Sequence, residues 1–173
     1  MLKKLLLANI FILHIIFSSS AQIEASIIEA AHSYARAQIN SDVESILKFT
    51  YPGLIEQAGG YESMKNTWKK IQQNQIEKGI RLQDFKVKEP ILHTRSNGEI
   101  HALVPIVTTS KVKGGKLTAE SYLISVSETE QGNWYFIETT LIDDGNVTKV
   151  LENWDGTLIL PFKKAPVFKE DKK

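Results

Sequence analysis

The chain has 173 residues, no cysteine, 24% charged side chains and a formal net charge of +1. That is the length of one domain with a little to spare, and the missing thiols exclude a disulfide scaffold, a thiolate zinc site, a cysteine-ligated iron–sulfur cluster and a cysteine nucleophile. A charge this close to zero leaves no electrostatic footprint for nucleic acid.

Residues 1–21 read as an export leader. Met1-Leu2-Lys3-Lys4 is a basic start, and Leu5 to Phe17 is an apolar run broken only by Asn9 and His14. Ser19 and Ala21 are the small residues of a cleavage site before Gln22. The run falls short of the roughly 20 apolar residues that span a bilayer, and a bacterial lipid anchor would need a cysteine at the cut. The expectation is a periplasmic or extracellular protein with no stable membrane anchor after cleavage. It has one domain over 22–168 and a charged, frayed tail over 169–173. Without its first 21 residues the chain has 152, with 19 basic against 20 acidic side chains, a net of −1.

The first half carries helical periods. Ile23, Ile27, Ala30, Tyr34 and Ala37 recur at three- and four-residue spacing, Ala31 widens the stripe, and Ile28, Ala35 and Ile39 form a seam beside it. Asn40-Ser41-Asp42 breaks this helix and caps the next, in which Val43, Ile46 and Leu47 face one way. Tyr51-Pro52-Gly53 ends that segment, and a short turn over 54–58 closes at Gly59-Gly60. A third helix spans about 61–78 with Tyr61, Met64, Trp68 and Ile71 on one face and Gly79 as its C-cap.

From Ile80 the period changes to that of strands. Asn97-Gly98, Gly114-Gly115 and Gln131-Gly132 punctuate a β-branched stretch and predict four antiparallel strands over about 81–95, 99–113, 116–129 and 133–141. Those turns set Leu92 opposite Leu103, His93 opposite Ala102, Ile106 opposite Leu123, and Ser125 opposite both Val104 and Glu138. One face then carries Phe85, Val87, Ile91, His93, Val104, Ile106, Leu123, Trp134 and Phe136, interleaved with Ser121, Ser125, Ser127, Thr129 and Glu138. The other carries Leu92, Leu103, Val107, Tyr122, Ile124, Val126 and Ile137. Helices can cover only one face. The second needs either a homodimer partner or the C-terminal segment, where Val147, Val150, Leu151 and Trp154 form an amphipathic turn and residues 158–162 an extended strap.

The fold class expected is α+β, with N-terminal helices packed on a curved four-stranded antiparallel sheet, a short C-terminal helix and a strap. The long helix through Tyr34-Ala35-Arg36-Ala37, the Tyr51-Pro52-Gly53-Leu54 to Gly59-Gly60 segment and the strand Gly132-Asn133-Trp134-Tyr135-Phe136-Ile137-Glu138 resemble the nuclear transport factor 2-like superfamily over about residues 23–141. The segment after Leu141 departs from minimal members and resembles extensions of secreted bacterial proteins. The resemblance implies a cone with a pocket between helices and concave sheet, lined by Trp134, Phe136, Ser125, Ile106 and, from the helices, Trp68. The superfamily includes isomerases, dehydratases, cyclases, transport adaptors and immunity proteins, so the fold does not choose a function.

Glu138 is the sharpest chemical candidate, because a carboxyl in an apolar pocket gains the raised pKa of a general acid or base. His93 on the same face and Tyr34 from the helix would complete an isomerase- or dehydratase-type trio. The bland alternative is a strand-end acid in water and a rim histidine. Metal binding and cofactors are not expected: His93 and His101 point to opposite faces, His32 has no helical partner, and Asp143-Asp144-Gly145-Asn146 lacks calcium-loop spacing. No nucleophile elbow or phosphate loop occurs. The leading reading is non-enzymatic binding of a small apolar ligand or a protein partner. The enzyme reading comes second, and a surface-acting inhibitor or immunity-type protein third.

Overall fold

The computed structural model describes residues 2–130, 132–140, 142 and 145–171, with side chains from Ser20 onward. The side chain of His14, and Gln131, Leu141, Asp143, Asp144 and the last two lysines, on which some of the expectations fell, lie outside what is described. Helices precede an open antiparallel sheet. The helices are α1 (Leu2–Ile39), α2 (Val43–Phe49), α3 (Pro52–Gln57), α4 (Tyr61–Glu77) and the short α5 (Val147–Val150). The strands are β1 (Arg81–Val87), β2 (Leu92–Ser96), β3 (Glu99–Val112), β4 (Gly115–Ser127), β5 (Tyr135–Glu138) and β6 (Val167–Glu170). Among the described residues no helix is long and apolar enough to cross a membrane.

The sheet has six strands, where the hairpin signals predicted four. β3 and β4 form a long central hairpin, and each outer edge is built in two pieces: β1 and β2 both pair with β3, and β5 and β6 both pair with β4. The stretch 81–95 divides around the cis Glu89-Pro90 bond, where proline has no N–H to give the ladder. Within the tail expected to fray, Lys169 and Glu170 pair instead with Lys116 and Gly115 at the end of β6.

Two registers differ from expectation by two residues. Val112 pairs with Gly115, so the hairpin loop is Lys113-Gly114 and Ile106 faces Ser121, with Gly114 alone at positive φ. The next connection is longer than two residues, so Glu138 faces Leu123, and Phe136 faces Ser125. Because side chains alternate with a period of two, an even shift leaves every residue on its expected face. The Asn97-Gly98 register is as predicted, with His93 opposite Ala102.

Each sheet face has its own core. On one, Ile23, Ile27, Ala31 and Tyr34 of α1 pack with Ile46 of α2 against Phe85, Val104, Ile106, Leu123, Trp134 and Phe136. Alanines at 31, 35 and 102 let the helix approach the strands closely. On the other, Leu103, Ile124, Val126 and Ile137 are covered by Ile142, Val147, Leu151, Trp154, Leu158 and Leu160. The C-terminal segment therefore covers much of this face, the second of the two covers expected for it beside a homodimer partner. α1 ends at Ile39, just before Ser41 at φ 56°, and the Asp42 carboxylate accepts the Ser45 N–H and hydroxyl to start α2. α4 buries none of its residues fully and touches the rest chiefly through α2 and α3.

Candidate functional site

A cavity of about 830 Å³ opens between the end of α1, α4, β1 and β3. Trp68, Leu82 and Phe85 supply its apolar wall, and Gln38, Gln72, Gln75, Arg81, Thr108 and Ser110 its polar lining. Glu138 lies in its lining, at the C-terminal end of β5 and half-buried.

The polar groups there form a chain. Gln38 Nε2 donates to the Tyr34 hydroxyl at 2.6 Å, and Tyr34 donates to Glu138 Oε1 at 3.2 Å. The Thr140 hydroxyl reaches Oε2 at 3.4 Å. Gln38 stands one helical turn after Tyr34, so both project from one face of α1. Burial pushes the Glu138 carboxyl above its ordinary range, against the lowering effect of the Tyr34 and Thr140 hydrogen bonds. Tyr34 is pushed well above the usual phenol value, first by burial and then by the Glu138 charge, so it stays a neutral donor. Its ring meets Phe85 edge-on at 6.0 Å and Phe136 at 5.2 Å.

The structure brings Glu138, Tyr34 and Trp68 together and leaves His93 apart. His93 lies in line with Ala102, Ser125 and Phe136 across the ladders, about 14 Å from the β5 edge at the usual strand spacing. Its Nε2 is 3.1 Å from Ser20 Oγ and 3.8 Å from a Glu24 carboxylate oxygen. It belongs to the contact between α1 and β2.

Four of the residues expected to line the pocket are packed instead. Trp134, Phe136, Ser125 and Ile106 are buried in the α1-facing core and line no part of the Glu138 cavity. Trp134 Nε1 donates to Ser26 Oγ at 3.1 Å, and Ser125 Oγ has no hydrogen-bond partner among the described residues. The α1 side chains fill that end of the sheet, so the hollow moves to where α1 stops. Gln38, Gln72, Arg81 and Leu82 went unread as site residues. The four-residue steps from Tyr34 to Gln38 and from Trp68 to Gln72 were the available signal.

His101 is fully buried on the opposite face, stacked on Trp154 at 5.5 Å and bonded through Nε2 to Glu99 at 2.8 Å. Its Nδ1 has no hydrogen-bond partner among the described residues. A second hollow of about 770 Å³ lies beside the strap, where Tyr122 and Phe162 meet Lys88, Glu120, Lys163 and Lys164. Glu120 is paired with Lys164 there. Among the described residues no three histidine, aspartate or glutamate side chains cluster as a metal site. No protein-family model matches this sequence, and neither a curated protein nor a solved structure matches it.

Proposed function

We propose that this chain is an exported, non-enzymatic binding domain of the nuclear transport factor 2-like kind, holding a small ligand in the Glu138 cavity. The observation that carries the reading is the Gln38–Tyr34–Glu138 chain at one end of a hollow whose volume suits a small molecule. Helices followed by an open antiparallel sheet support the family, and the basic start with its apolar run and small-residue cut supports export. The lining is more polar than the mostly aromatic and aliphatic lining expected from Trp134, Phe136, Ser125, Ile106 and Trp68, which favours a ligand with an apolar body and a hydrogen-bonding head. Titrating a small-fragment set against isotope-labelled protein tests this. Amide shifts should concentrate at Gln38, Trp68, Gln72, Phe85 and Glu138, and shifts confined to the strap hollow would overturn it.

A second reading, proton transfer beside a carbonyl, is favoured by one observation: a carboxyl held above its ordinary range and hydrogen-bonded by a neutral tyrosine. It would use Glu138 and Tyr34 without His93. Deuterium uptake by a cyclic ketone that is lost in Glu138→Gln would support it, and uptake equal to that of buffer would dismiss it.

A further inference from the structure

We infer that the Glu138 cavity selects a small organic amine, taking its ammonium head against the Glu138 carboxylate and its apolar body against Trp68, Leu82 and Phe85. This rests on the ligand-binding reading above and adds the sign of charge to it.

The first argument is the balance of donors and acceptors. The hydroxyls of Tyr34 and Thr140 both donate to Glu138. Gln38 spends one of its two amide N–H groups on Tyr34, and its carbonyl oxygen is an acceptor beside it. Two acceptor groups, the Glu138 carboxylate and the Gln38 carbonyl, therefore line that end of the hollow, and an ammonium supplies three donors and no acceptor.

The second argument is the missing counter-charge. Glu138 makes no ion pair with lysine or arginine among the described residues. Two cationic residues line the same cavity. Lys111 is paired with Asp171, and Arg81 is exposed. A carboxylate in dense surroundings without a cation is costly, and a charge that arrives with the ligand relieves that cost. Burial already holds the Glu138 proton more tightly than usual, as a carboxylate without a counter-charge should.

The third argument is the wall. Trp68 and Phe85 line the hollow, and aromatic faces attract cations while their rings shelter an apolar body.

Calorimetry with three probes of one shape tests this: phenethylamine, phenethyl alcohol and hydrocinnamate. The amine should bind about tenfold or more tightly than the alcohol, and the carboxylate should be weakest. In Glu138→Gln, with folding checked by its amide spectrum, the preference for amine over alcohol should collapse to within about threefold. Trp68→Ala should weaken both amine and alcohol, the amine by at least as much. If the alcohol or the carboxylate equals the amine, the charge selection is wrong while the ligand-binding reading stands. An amine preference that survives in Glu138→Gln also overturns it, by placing the recognising group elsewhere. If none of the three binds at about 10 mM and none shifts the cavity amides, both fall.

Discussion

At the scale of single residues, Glu138 and Tyr34 share one hydrogen bond with opposite needs: the carboxyl would rather be solvated, and the phenol must stay neutral to donate. A carboxyl whose folded pKa is raised binds its proton more tightly in the fold than in the unfolded chain. Stability therefore declines as pH rises from the ordinary carboxylate range through the raised value, and the penalty is complete above it. Glu138→Gln removes that slope. Urea denaturation should find the variant more stable than the parent at pH 7 by about 1 kcal/mol, and no more stable near pH 4. An unchanged pH profile would mean that the carboxyl is not desolvated. Tyr34→Phe deletes the phenol that now lowers the Glu138 value, so the carboxyl should titrate at still higher pH by carbon-detected NMR. It should cost about 1–2 kcal/mol, because Gln38 and Glu138 both lose a buried partner. Tyr34 and Glu138 were legible from one helical stripe and one strand alternation. His93 was assigned to the right face, but face membership does not report distance along a sheet.

At the scale of elements, the helices and the central hairpin follow directly from local chemistry. Asp42 caps α2, and Gly79 ends α4 at φ 67°. The β3–β4 register differs by two because the sequence offers two adjacent glycines and only one, Gly114, is the turn residue, and the β4–β5 register because its connection is longer than two residues. The two-piece edges were hidden for different reasons. Pro90 stands where the first edge divides, whereas β6 is four exposed residues without an apolar face to announce them. What holds β6 is space: a Cβ on Gly115 would collide with the Lys169 carbonyl and come within 2.8 Å of the Phe168 ring. Gly115 sits inside a strand without positive φ, so room and not backbone freedom is the constraint. Gly115→Ala should release β6, seen as faster amide exchange over 167–170, with the β3–β4 hairpin still protected. Retained protection at β6 would show that the ladder can shift to absorb the methyl.

At the scale of the whole molecule, the sheet separates two cores, and the second is made by chain that follows the last strand of the hairpin series. The alternation of Leu92, Leu103, Ile124, Val126 and Ile137 announced a second apolar face, but composition could not say what covers it, because a partner and a returning segment present the same side chains. The structure covers it with Val147, Leu151, Trp154, Leu158 and Leu160, leaving Ile159 and Phe162 exposed. Two truncations separate the cover from the tail. Ending the chain at Phe162 removes β6 and the Lys164–Glu120 pair, all on exposed surface, and should leave the melting temperature within a few degrees. Ending it at Asn146 uncovers the face, and Leu151→Ala alone, at a site with no exposure, should cost about 2–5 kcal/mol. Light scattering should then find the shorter chain associating or aggregating where the Phe162 truncation keeps the parent's mass, because a bare apolar sheet face of that extent seeks another surface. A shorter chain with the parent's mass and melting temperature would mean that this cover contributes nothing to stability. The second core would then be dispensable, and the α1-facing core alone would hold the cavity.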